Sequence, residues 1–226
     1  MRPSVLAALW GFTKGLEGYV DQMYADVLGL VTTGCGNLID PEPLASQLPW
    51  LHRADDTPAT VDEIALEWHA VKDGRINAYQ GLRPLYLPAQ AVAALVLLRF
   101  RQNEVYLSRR WARWADWPAD AQLGAHSCAW AAGAQWTAPK FDAAAALMSA
   151  DGFMTIAGPP GDANVDISFR GEAWLRDGPL GSAATTNAGL RHRNLDNKTC
   201  FQNASRVLTA GSDPDELHWP AVLEAP

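Results

Sequence analysis

Apolar residues recur near the N-terminus at Val5, Leu9, Phe12 and Leu16, spaced 4, 3 and 4, which is one stripe of an amphipathic helix. Gly18 predicts its end. The pattern then changes period. Tyr24 precedes a turn-like stretch over 25–29, and Leu30, Val31, Thr32 and Thr33 follow, so a small β-hairpin is predicted. Residues 38–59, with four prolines, read as an irregular connection. Thr60 and Glu63 have the spacing of a capping box and open a helix with Val61, Ile64, Ala65, Trp68 and Val71 on one face, stopping near Gly74. Residues 75–87 form a mixed loop whose Tyr79 and Tyr86 are placed to line a cleft.

A long helix is predicted over 88–111, with Pro88 allowed in its first turn. The small-residue run 119–132, ending at Gly133, predicts a central buried helix that neighbours can approach closely. His126 and Cys128 in it are core residues on this reading. A further helix is expected over 141–150, then a Gly/Pro-rich break at 158–161. Another follows over 187–204 with Leu195 and Phe201 in the core, and residues 211–226 make a loosely packed tail. The pattern as a whole is α+β and mostly helical.

Three residues in the first hairpin region carry candidate chemistry. Glu17, Asp26 and Thr32 are separated by nine and six residues, and Gly34 and Gly36 close the segment. Glu17 falls in the last turn of the first helix, where the macrodipole disfavours a negative charge. Partial burial beside Leu16 or Trp10 would add to that and keep the acid protonated. Glu17 breaks a local rule, and such sites are where function is expected. Asp26 sits where a hairpin would carry it back toward Glu17, with the Thr32 hydroxyl on the returning strand facing the same cleft. Read singly, each residue has an ordinary structural explanation: a solvated glutamate, or a turn aspartate bonding its own backbone.

In order and spacing, residues 17–37 resemble the active-site segment of the phage-type lysozymes, the muramidase family of the T-even phages. The likeness is sharp over 9–37, looser over 88–133 and 187–204, and absent over 38–87. It implies a lysozyme-like fold, with a small N-terminal hairpin lobe and a larger helical lobe within one catalytic domain spanning 1–226. The helix over 88–111 resembles the one joining those lobes. The resemblance further implies an inverting glycoside hydrolase that cuts the β-1,4 bond between N-acetylmuramic acid and N-acetylglucosamine. Glu17 would be the general acid, Asp26 and Thr32 would hold the attacking water, and Gly34, Gly36 and Asn37 would contact substrate. An inverting site separates its two carboxyls by roughly 6.5–9.5 Å. Family members usually have His after the second glycine, where this chain has Asn37, which bears on how the hairpin is anchored. Asp21 is a nearby carboxylate expected to be solvated. Arg191 and Arg193 resemble arginines of the family's closing region and read first as structural, with a substrate or hairpin contact as the alternative.

The chain has 226 residues, 48% apolar and 19% charged, with a net charge of −7. That balance gives no footprint for nucleic acid and little long-range steering toward an anionic wall. Ten tryptophans are many, and core packing is the simpler use for most of them. The longest apolar run, 91–98, is too short to span a membrane. Cys35, Cys128 and Cys200 have no metal-ligand spacing, so three free, mostly buried thiols are expected, with no metal and no cofactor. The N-terminus reads as the first helix of the mature protein rather than a signal peptide. A cytoplasmically made monomer acting on peptidoglycan after release or delivery follows, either a phage endolysin or an antibacterial effector with a protective inhibitor partner. Two other readings stay open: a lysozyme-like scaffold that binds glycan or a partner without cutting, and a lytic transglycosylase. The Asp-x5-Thr element argues against the latter, whose chemistry needs no positioned water.

Overall fold

A computed structural model describes residues 1–77, 80–136, 139–157 and 188–223. Tyr79, the 158–161 break and Asn187 lie outside them, and so does the side chain of Arg191. The described residues form seven helices and five short strands, an α+β architecture dominated by helix. They group into two compact units, Trp10–Leu98 and Met1–Leu9 with Arg99–Pro226. None of the helices is long and apolar enough to cross a membrane.

The first unit carries the predicted hairpin. Helix α1 (Pro3–Glu17) ends where expected, with Gly18 at φ 75° and its N–H donating to the Lys14 carbonyl. Strands β1 (Val20–Ala25), β2 (Val31–Gly34) and β3 (Asn37–Leu38) form an antiparallel sheet in that order. Val20 pairs with Gly34 and Tyr24 with Thr32, so β1 bulges between those rungs. The β1–β2 loop closes through Asp26 N–H to the Leu30 carbonyl and Gly29 N–H to the Asp26 carbonyl, with Gly29 at φ 75°. This is a three-residue hairpin loop with a left-handed residue at its end.

Residues 38–77 and 80–87 are more ordered than the sequence suggests. Their helix α2 (Val61–Gly74) has the capping box in full: Thr60 Oγ1 accepts from Glu63 N–H, and the Glu63 carboxylate accepts from Thr60 N–H. Arg75, not a glycine, takes the left-handed position after it, at φ 47°. Ile64, Trp68 and Val71 of the predicted face are buried, whereas Val61, in the first turn, is 60% exposed. Strands β4 (Leu51–His52) and β5 (Leu85–Tyr86) pair antiparallel.

In the second unit the small-residue helix α4 (Ala119–Ala132) is buried over Ala119–Ala129. A Cβ at Gly124 would lie 3.0 Å from the Phe201 ring, so Gly124 permits the close approach of α7 (Ala188–Ala210). Trp111, Trp114, Trp117, Trp136, Phe141 and Phe201 share this unit's core. Among the nine tryptophans in the described residues, six are buried, which places most of them in packing. The single helix expected over 141–150 is instead two, α5 (Pro139–Ala146) and α6 (Ala150–Ala157). The chain reverses at Met148, φ 44°, and Ser149 caps α6 by accepting from Gly152 N–H at 3.1 Å.

The segment from Gly211 to Leu223 is largely exposed but pinned rather than loose. The buried Asp120 carboxylate accepts from the His218 and Trp219 N–H groups at 3.0 and 2.9 Å. Asn203 donates to the Ala221 carbonyl and accepts from Leu223 N–H.

Candidate active site

Glu17 is the last residue of α1, and its carboxylate faces the turn between β2 and β3. A Cβ placed on Gly36 would lie 3.9 Å from Glu17 Oε2, and the Glu17 charge is felt by the Cys35 thiol. Burial first, and then Glu17, push that thiol up to about 11. The expected burial of Glu17 beside Leu16 or Trp10 does not occur, because Glu17 is exposed. Trp10 instead meets Tyr19 edge-on, and the Lys14 ammonium lies 5.2 Å from the Tyr19 ring.

Asp26 and Thr32 meet at Leu30. Asp26 Oδ1 accepts from the Leu28 and Leu30 N–H groups at 2.8 and 2.9 Å, so this oxygen holds the hairpin loop. Oδ2 has no hydrogen-bond partner among the described residues. The Thr32 hydroxyl donates to the Leu30 carbonyl at 3.2 Å, and Thr32 is only 5% exposed. Its oxygen keeps acceptor capacity.

Gly34 and Gly36 are both left-handed, at φ 64° and 80°. The tight turn they make brings Asn37 Oδ1 within 3.3 Å of the Cys35 N–H, from which it accepts. Asn37 is thus turned inward to brace the turn and is 9% exposed. Gly34 is packed, since a Cβ there would lie 2.7 Å from Val92 Cγ1 on α3 (Ala89–Arg110).

Further supports come from residues 38–87. Lys72 on α2 donates to the Gly29 carbonyl at 3.0 Å and to Asp40 Oδ2 at 2.6 Å, while Val31 N–H donates to the same Asp40 oxygen. The hydrogen bond from Lys72 is the main reason that the Asp40 carboxyl is held below its usual range. Ala25 N–H donates to the Ile76 carbonyl, and Trp68 Nε1 to the Ile39 carbonyl. Asp21, expected to be solvated, is instead clamped by the Arg53 Nη2 and Nη1 groups at 2.9 and 3.1 Å. Arg53 in turn stacks 5.1 Å over the Tyr86 ring.

Sequence reasoning missed Asp40, Lys72 and Arg53 because their partners lie 32 residues away or are backbone groups. Only the Thr60–Glu63 cap advertised that α2 would be there to carry Lys72. Arg193 is buried in the second unit, where its Nη1 donates to Ser127 Oγ at 3.1 Å. No group of three or more His, Cys, Asp or Glu able to hold a metal occurs among the described residues. No family model, curated protein or solved structure matches the chain.

Proposed function

We propose that this chain is a peptidoglycan muramidase in which Glu17 protonates the leaving oxygen and Asp26 holds the attacking water. The observation that carries the reading is the placement of Glu17 at the end of α1, facing the Gly34–Cys35–Gly36 turn of the sheet whose β1–β2 loop carries Asp26 and whose β2 carries Thr32. Asp26 has one oxygen committed to the loop and one open to a water. The committed oxygen fixes the direction of the other, which is what positioning a water requires. Thr32 would accept from that water while donating to Leu30. Glu17 is exposed, so a glycan can reach its carboxyl, and a bound saccharide would itself exclude water from it. Phage endolysin and delivered antibacterial effector are equally compatible settings, the second implying an inhibitor protein as partner.

Two observations favour a second reading, glycan binding without cleavage: Thr32 is nearly buried, and Asp26 already has a structural task. Glu17→Gln separates the two. On purified peptidoglycan the wild type should release reducing-end muropeptides, and the variant should be slower by roughly 10²–10⁴-fold. Anhydro products would make the enzyme a transglycosylase. No products, with folded protein retained on the sacculi, would leave the binding module.

A further inference from the structure

The second unit contains a cavity of about 730 Å³ that the proposed cleavage chemistry does not use. Arg99, Gln102, Asn103 and Tyr106 line it from α3, and Gln135 and Trp136 from the segment after α4. A smaller hollow of about 370 Å³ shares Tyr106, Gln135 and Trp136 and extends the groove to Arg109 and Arg110. Positions 99, 102, 103, 106, 109 and 110 recur at helical spacing, so the groove follows one face of α3.

Its charge runs against that of the chain. On a protein of net charge −7, the two hollows are lined, among the described residues, by three arginines and one acid, Asp142. Asp142 is already committed, accepting from Arg110 Nε and Nη2 at 2.7 Å each. Arg99 and Arg109 are exposed and have no carboxylate partner among the described residues. Asn103 adds an independent sign of an absent ligand. It is 2% exposed, and its Nδ2 has no hydrogen-bond partner among the described residues. Buried amide donors are normally met.

We propose that this groove binds a short peptide carrying free carboxylates, the peptide stem of peptidoglycan. The choice of the wall as its source rests on the muramidase reading; the acidic peptide chemistry does not. Arg99 and Arg109 are ten residues apart on a helix, about 15 Å along its axis. Roughly four to five extended residues cover that distance. Side-chain amides at Gln102, Asn103 and Gln135 match peptide carbonyls and N–H groups, while the buried face of Trp136 offers no open platform for a sugar.

Calorimetric titration of the full chain with a synthetic stem tetrapeptide, and with its fully amidated analogue, tests this. Submillimolar binding of the free acid, at least tenfold weaker for the amidated form and tenfold weaker in Arg99→Glu and Arg109→Glu, is the expected result. Both arginines are exposed, so the variants should keep the wild-type Tm. No binding at millimolar peptide, equal binding of the two peptides, or unchanged affinity in both variants would overturn the proposal. The tetrapeptide contains no glycosidic bond. Binding without sacculus cleavage would therefore keep the groove and reject the muramidase, and cleavage without peptide binding would do the reverse.

Discussion

At Gly34 an added Cβ would lie 2.7 Å from Val92 Cγ1 and 3.0 Å from Asn37 Oδ1, in a backbone at φ 64°. Gly36, at φ 80°, has nothing nearer than Glu17 Oε2 at 3.9 Å. The two alanine variants should therefore fail differently. Gly34→Ala adds a steric clash to left-handed strain and should cost about 2–4 kcal/mol by denaturant unfolding. Gly36→Ala carries only the backbone strain, about 1 kcal/mol. It places a methyl against the proposed acid, so its cleavage rate should fall roughly tenfold. If Gly36→Ala keeps full activity, the face of Glu17 toward this turn is not the working face. Between the two glycines, Cys35 is fully buried and its thiol is raised to about 11, consistent with a packing residue. Cys128 and Cys200 are buried and free as well, so the thiol state expected from their spacing holds.

Among the elements, α2 links the legible to the illegible. Its start could be read from Thr60 and Glu63 because a capping box is local, with both partners within four residues. The small-residue helix α4 and the α1 stripe were legible for the same reason: periodicity is written along the chain. What α2 does for the site was not legible, because Lys72 meets Gly29 and Asp40 only after folding. The break between α5 and α6 was missed because Met148 adopts a left-handed backbone that its residue type does not announce. Lys72→Met should test the buttress. It removes a charge-assisted contact that is partly solvent-screened, with Lys72 33% and Asp40 14% exposed, so the stability loss should be about 1 kcal/mol. Amide exchange at Gly29 to Val31 should nevertheless accelerate and, on the proposed function, cleavage should drop several-fold, because the Asp26 loop loses its tether. Unchanged exchange in the loop would show that β1–β2 pairing alone holds it.

For the molecule as a whole, charge gives a direction for pH. In the second unit Glu104 accepts from the Met1 ammonium, from Trp114 Nε1 at 2.8 Å and from His126 Nε2 at 2.8 Å. Burial alone would raise its carboxyl, but these donors outweigh burial and bring it down to about 2 from 4.5. His126 is fully buried, and burial holds its imidazole below 6.5 despite Glu104, so the neutral ring donates Nε2–H. For both groups the unfolded chain takes up protons first as pH falls. The stabilisation is fully present above the unfolded values and is lost on acidification: for His126 as pH drops below 6.5, and for Glu104 between about 4.5 and about 2. Asp120 works in the opposite sense, since burial raises its carboxyl and the folded state protonates first. The drop at Glu104 corresponds to at most about 3 kcal/mol. Thermal unfolding followed from pH 7 to pH 3 should show Tm falling steeply below about pH 4.5 in the wild type. Glu104→Gln should lower Tm at pH 7 and flatten that slope. Parallel curves for the two proteins would assign acid sensitivity to other carboxylates and leave the Glu104–His126 pair a packing contact.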